Sequence, residues 1–373
     1  MQVKISQAIR MTSAYLKANL VPMIIGSPAI GKSSIVHQLA NDNNLKVIDL
    51  RLAQCDPTDL GGFPSTYTDA NGNKRAGYIP MDTFPIRGDS LPIKTKSKPG
   101  YAKGDTLPDG TTAQQDIAPV PAEYYNGWML FLDEANSCAQ AVQAAAYKII
   151  LDRMVGQTHL HDKVFIVAAG NLETDNAIVN ELSSALKSRL VHMELKVDLD
   201  EFLEYAFAKG FSPLITSYLR FKSEHIYNFD PDSKDSTYAS PRTWEFANRA
   251  LQHMDITGID AIGIMQGILG TGVGTEFTQF CRMSADSLPK MSDIIAFPDT
   301  TPIPQEISTI WSLIGAISQA ATPQTITPLV TYVSCLPIEH QVICLRDMIR
   351  RHNALMVEPA IQNWVNTNST LLF

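Results

Sequence analysis

Residues 21–40 read Val21-Pro22-Met23-Ile24-Ile25-Gly26-Ser27-Pro28-Ala29-Ile30-Gly31-Lys32-Ser33-Ser34-Ile35-Val36-His37-Gln38-Leu39-Ala40. A short apolar run, a glycine-framed octet and a helical pattern follow one another. The octet Gly26 to Ser33 fits G-x-x-x-x-G-K-[ST], a phosphate-binding loop, and a strand before it and a helix after it are the context in which that pattern holds a nucleotide. Gly26 and Gly31 let the backbone curl so that successive N–H groups point inward at phosphate oxygens, while the following helix aims its positive end at the same charge. Lys32 is placed to neutralise the terminal phosphates, and the Ser33 hydroxyl to ligate magnesium. The expected nucleotide-binding residues are therefore Gly26, Ser27, Pro28, Ala29, Ile30, Gly31, Lys32, Ser33 and Ser34, with ATP and Mg2+ as ligands.

Outward from this loop, apolar runs alternate with helical patterns, which predicts an α/β fold with a parallel sheet between helices. The candidate strands are Pro22 to Ile25, Val47 to Leu52, Trp128 to Leu132, Val164 to Ala169 and Val191 to Leu195, mostly continuous apolar runs of the kind buried on both faces. Ala139 to Arg153 places Val142, Ala145, Ala146, Ile149 and Ile150 on one helical stripe, and Ser184 to Arg189 is a shorter helical piece. The stretch from Asp56 to Tyr125 is too long for an ordinary connection and must hold an insertion, about 63–125. Pro85, Pro92, Pro99, Pro108, Pro119 and Pro121 interrupt regular elements there, while Gly88, Gly100, Gly104 and Gly110 supply turns, so an irregular or hairpin-bearing surface excursion is expected. Helical patterns take over near residue 198: Leu199 to Lys209, Leu214 to Glu224, Pro241 to His253, Ile307 to Ala321 and Glu339 to His352. The predicted division is a nucleotide-binding domain over 1–197, a helical lid over 198–300 and a helical C-terminal segment over 301–373.

Composition bounds the function. A chain of 373 residues, 45% hydrophobic, can bury at least one full core and predicts two or three domains. Its longest apolar stretches are interrupted short of the roughly 18 residues a spanning helix needs, so no membrane span is expected. Met1-Gln2-Val3-Lys4 opens without the pattern of a secretory leader, and a cytoplasmic location is expected. The five cysteines form an odd set with no C-x-x-C pair, which predicts reduced, buried thiols. A net charge of −8 disfavours long-range attraction to nucleic acid. The densest basic runs, Lys74-Arg75 and the group Lys94, Lys96, Lys98 and Lys103, lie among glycines and prolines and read as solvated loops.

Four further stretches carry candidate chemistry. Trp128 to Leu132 delivers Asp133 and Glu134 at a strand end, where Asp133 can hold magnesium through water and Glu134 can polarise an attacking water. Alone, the same pair could simply favour the start of the next helix. Phe165 to Gly170 ends in Asn171, an amide able to bond the water or the terminal phosphate, or a turn former. Arg189 closes a short helix before the fifth strand, as any cation at a helix C-terminus does. Ser240-Pro241-Arg242-Thr243 opens a helix, where an arginine is ordinarily solvated. Gly270-Thr271-Gly272-Val273-Gly274 lacks the flanking strand and Lys of a phosphate loop and reads as a helix-ending turn, and His159-Leu160-His161 reads as part of a small hairpin.

The order of these features resembles the AAA+ ATPases, and more narrowly the MoxR-like branch. Ile48-Asp49-Leu50-Arg51-Leu52-Ala53-Gln54-Cys55-Asp56-Pro57-Thr58-Asp59-Leu60-Gly61-Gly62-Phe63-Pro64, Leu132-Asp133-Glu134-Ala135-Asn136, Val142-Gln143-Ala144-Ala145, Leu151-Asp152-Arg153-Met154-Val155-Gly156 and Ala168-Ala169-Gly170-Asn171 carry the narrower match. The likeness covers roughly Leu20 to Leu251. It implies a five-stranded parallel sheet with a helical lid, Lys32 and Ser33 in the first nucleotide motif, Asp133 and Glu134 in the second, and Asn171 as first sensor. It further implies Arg189 as the finger that reaches a neighbouring subunit's nucleotide, Arg153 as a second residue contacting across subunits, and Arg242 as second sensor. The expectation is a ring-forming, magnesium-dependent ATPase, a hexamer, that remodels or assembles a protein partner, with a partner bearing a von Willebrand factor A-type domain implied by the family. A nucleic-acid motor or loader, a slow nucleotide-gated binding module and a small-molecule phosphotransferase stand as alternatives.

Overall fold

The computed structural model describes residues 1–373 except 104, 107–110, 113, 173, 174, 176–179, 181, 234 and 370–373. The chain divides into two compact units, Met1–Lys196 and Val197–Phe373.

The first unit is built on a parallel sheet of β1 (Gln2–Val3), β2 (Val21–Ile25), β3 (Leu45–Arg51), β8 (Gly127–Asp133), β11 (Val164–Gly170) and β12 (Leu190–Leu195), in the order β1-β12-β2-β11-β8-β3. Each of the five expected strands is present, and the two-residue β1 adds a sixth at the edge, tied on by the Gln2 amide donating to Glu194 at 2.9 Å. The most apolar strands, β2, β8 and β11, take interior places because residues on both of their faces leave water. On one face Leu130, Leu132, Ile166 and Ala168 meet Val142, Ala146 and Ile149 of α4 (Gln140–Asp152). On the other, Met129, Phe131 and Val167 are fully buried on the side served by α1 (Ile5–Lys17) and α2 (Lys32–Asp42). Each such side chain contributes about 1.5–3 kcal/mol by leaving water. Two short helices, α3 (Pro57–Gly61) and α5 (Ser184–Lys187), complete the unit.

The insertion is two antiparallel ribbons. One is the hairpin of β4 (Phe63–Thr68) with β5 (Lys74–Ile79); the other joins β6 (Ile93–Thr95) to β7 (Glu123–Tyr124) and continues outward through Lys98 opposite Val120 and Tyr101 opposite Ile117. Gly104, Pro108 and Gly110 lie outside the described residues. The expectation of a surface excursion fails at its near end: Phe84 is 3% exposed and belongs to the main core, and Ile86 bridges Leu160. The ring supplies apolar area that anchors a proline-rich segment, and Met81 and Leu91 pack against the same core. Replacing 99–119 with a short Gly/Ser turn between the paired Lys98 and Val120 should leave the melting temperature within a few degrees. Phe84→Ala should remove about 3–5 kcal/mol of stability in denaturant titration. Small β9 (Met154–Val155) and β10 (Thr158–His159) form the hairpin expected around His159.

The second unit is helical among the described residues: α6 (Leu199–Ala208), α7 (Pro213–Phe221), α8 (Pro241–Leu251), α9 (Ala261–Leu269), α10 (Thr271–Ser287), α11 (Met291–Ala296), α12 (Ile307–Ala320), α13 (Ile326–Val333), α14 (Ile338–Arg351) and α15 (Pro359–Asn368). Gly270 ends α9 with φ 87°, as expected of a helix-ending turn, while Thr271-Gly272-Val273-Gly274 opens α10. One apolar cluster runs from Phe202 to Cys281 and another from Ile294 to Trp364. Arg220 makes a bidentate bond to Asp347 at 2.6 and 3.0 Å, with both side chains buried, and so pins α7 to α14. No helix among the described residues is long and apolar enough to cross a membrane. Cys138, Cys281 and Cys344 are buried as expected, whereas Cys55 is half-buried and Cys335 exposed. Burial pushes the Cys138 thiol up to about 11, which keeps it protonated and inert at neutral pH.

Candidate nucleotide site

The strand order assembles the site. β11 lies between β2 and β8, with Gly170 beside Ile25 and Ala168 beside both Met23 and Leu132. Parallel strands end on the same edge, so the loop after Ile25, the acids after Leu132 and the amide after Gly170 converge there.

The phosphate loop has the backbone its sequence requires. Gly31 takes φ 103°, a left-handed value natural to glycine, and caps α2; Ala29 shares that region at 63°. A Cβ on Gly26 would lie 2.5 Å from the Ile30 side chain, so that position has no room for one. Lys32 is only 9% exposed and folds back across the loop, donating to the Gly26 carbonyl at 2.6 Å, the Ser27 carbonyl at 3.0 Å and Asn171 Oδ1 at 2.9 Å. The bonds from one ammonium join two of the converging strand ends.

Ser33 donates to Asp133 Oδ2 at 3.3 Å. Side by side, these oxygens fit a magnesium ion that Ser33 would ligate and Asp133 would hold through water. Burial and the neighbouring Asp133 carboxylate hold the Asp49 carboxyl above its ordinary range, against the pull of Arg51 and His37. That second acid, which the sequence reading passed over, adds to the negative field a cation would meet. Among the described residues no group of three or more His, Cys, Asp or Glu is placed to hold a metal ion.

Glu134 has φ 56°, in the left-handed region a non-glycine residue occupies at some cost, and its N–H donates to Asp133 Oδ1 at 2.9 Å. This turn breaks the line of β8 and lets Ala135 N–H reach the Ala169 carbonyl at 2.8 Å. The next residue, Asn136, is 6% exposed and holds the Asn171 backbone at both ends: Nδ2 donates to the Asn171 carbonyl at 2.8 Å, and Oδ1 accepts from the Asn171 N–H at 3.0 Å. Sequence reading quoted Asn136 and gave it no role.

The three arginines are placed apart from this cluster. Arg189 is exposed and immediately precedes Leu190, which pairs with Val21 at the start of β2. The five residues of β2 put roughly 17 Å of strand between that edge and Gly26, beyond an arginine's reach. Arg153 caps α4 with φ 52° and donates to Asn19 Oδ1 at 2.9 Å and to the Val164 carbonyl, at the starting edge of β11. Burial lowers its guanidinium pKa, opposed by Asp162. These bonds tie the end of α4 to the starting edge of β11. Arg242 is exposed in the second unit, on the first turn of α8, where Ser240 and Thr243 form a reciprocal cap.

No protein-family model matches the chain, and no curated protein matches it. Among solved structures it is similar to a candidate ATPase from Cytophaga hutchinsonii, at 13% identity and TM-score 0.32 over 98% of this chain and 89% of that one. It is also similar to a RuvB variant from Thermotoga maritima, at 14% identity and TM-score 0.37 over 88% and 86%. A second RuvB variant of that organism gives 13% and 0.36 over 84% and 80%. At such low identity and TM-score, the residue roles rest on this chain's own geometry. That geometry is a P-loop α/β unit followed by a helical unit, the architecture the AAA+ resemblance implies.

Proposed function

We propose that this chain is a ring-forming, magnesium-dependent AAA+ ATPase of the MoxR-like kind that couples ATP binding and hydrolysis to remodelling or assembly of a protein partner. The observation that carries the hydrolytic part is the convergence of Lys32, Ser33, Asp133, Glu134 and Asn171 on the ends of three neighbouring strands. Backbone N–H groups of the loop and the start of α2 bind the phosphates, and Lys32 neutralises the terminal ones. Ser33 and Asp133 hold magnesium, whose charge offsets that developing on the phosphoryl oxygens. Glu134 accepts the proton of the attacking water, and Asn171 orients that water against the terminal phosphate. Arg189 supports the ring: placed beyond reach of its own loop, it can serve a nucleotide only on another copy. The protein partner, including one with a von Willebrand factor A-type domain, follows from the family resemblance, as does a hexameric ring with Arg242 as lid sensor.

A nucleic-acid motor is the second reading, favoured by Lys94, Lys96 and Lys98 at alternate positions of an exposed ribbon and opposed by the net charge of −8. Stimulation of turnover by DNA would select it.

Lys32→Ala tests the site. Loss of a charge-assisted bond of about 1.5–3 kcal/mol should weaken ATP binding roughly 10- to 100-fold and depress hydrolysis further. Wild-type affinity and turnover in the variant, by calorimetry and phosphate release, would remove the assignment.

A further inference from the structure

We infer that Asn136 is a positioning residue for hydrolysis, setting the distance between the Glu134 carboxylate and the Asn171 carboxamide. The inference rests on the ATPase reading above and extends it to a residue with no part in nucleotide or metal binding.

The chain turns at Glu134, whose φ is 56°. Left-handed backbone there sends the chain across β11 instead of onward from β8, and the Ala135 bond to Ala169 fixes the crossing. Asn136 then faces the Asn171 backbone as an amide facing an amide, one N–H to one carbonyl in each direction. Only asparagine in this orientation can make both bonds, since exchanging its oxygen and nitrogen would oppose donor to donor and acceptor to acceptor. The Asn136 carbonyl in turn accepts from Asn180 N–H at 2.7 Å, and the Asn180 amide donates to the Cys138 carbonyl at 2.8 Å. The loop after β8 and the loop after β11 are thereby joined from both sides.

Room for the clasp depends on Gly170. A Cβ there would fall 2.4 Å from Asn136 Oδ1 and 2.7 Å from the Met23 terminal methyl. The glycine preceding Asn171 is thus required for close approach, not for a turn. The clasp touches only Asn171 main chain, and the Asn171 carboxamide meets Lys32. Losing the clasp would shift Asn171 relative to Glu134, and misplacing a water-orienting group by about 1 Å can slow a reaction on the order of 100-fold.

The test is a double-mutant cycle on the full chain with Asn136→Ala and Asn171→Ala, reading kcat, KM and the affinity for a non-hydrolysable ATP analogue. In the wild-type background Asn136→Ala should lower kcat about 10- to 100-fold with analogue affinity within a few-fold. In the Asn171→Ala background it should lower kcat no further. Gly170→Ala supplies an independent route to the same displacement, should repeat the kcat loss, and serves if Asn136→Ala does not fold. Additive losses in the cycle, an unchanged kcat, or a kcat loss matched by lost analogue affinity would each overturn the proposal. A wild-type chain without ATP turnover, or one indifferent to Lys32→Ala in the same assay, would instead remove the ATPase reading.

Discussion

Turnover by Arg189→Ala is expected to fall about 10³- to 10⁵-fold, the range over which arginine fingers act, while ATP affinity stays within a few-fold. The two effects separate because the guanidinium meets charge that develops in the transition state and is absent from the bound ground state. Its place at the starting edge of the sheet makes the test sharper. Mixed assemblies of Arg189→Ala with Lys32→Ala contain interfaces that pair an intact Lys32 loop with an intact Arg189, and these should recover part of the activity. Absence of recovery despite proven co-assembly counts against a shared site.

Glu134→Gln should bind ATP and lose about 10²- to 10⁴-fold in turnover, because the amide keeps the carboxylate's size and cannot accept the water's proton. Asp133 and Ser33, which face each other in the folded chain, remain to hold magnesium. If loading tightens subunit contacts through Arg189, this variant accumulates as a ring of defined size with ATP and loosens with ADP. Linkage then requires that association raise apparent ATP affinity by the same factor. Mass photometry at micromolar protein decides it: a monomer in saturating ATP removes the ring and favours a nucleotide-gated switch.

Much of this architecture was legible in the sequence, for identifiable reasons. Continuous apolar runs marked β2, β8 and β11, and their terminal residues, Gly26, Asp133 and Asn171, are the ones the structure gathers. Periodicity reports burial and not neighbours, so the insertion of β11 between the other two was invisible. Asn136 escaped because its role depends on a left-handed turn two residues earlier and on an approach to Gly170 and Asn171 of the neighbouring strand that no local pattern encodes. The helices over 261–287 were hidden by Gly263, Gly267, Gly272 and Gly274, each a poor helix former. Gly274 has a packing reason to be there: a Cβ would come within 2.5 Å of the Gln266 backbone, so close approach of α9 and α10 outweighs propensity. Phe84 was lost among prolines, where composition averages over the few apolar residues, Met81 and Leu91 among them, that hold the segment to the core.

Gly26, Ser27 and Asn171 occupy the Lys32 ammonium within the chain, so for the function proposed above loading would be an exchange of partners and not the filling of an open cradle. For that function, drawing Lys32 toward a phosphate would break its bond to Asn171 and free that carboxamide, so one hydrogen bond would couple the two strand ends to loading.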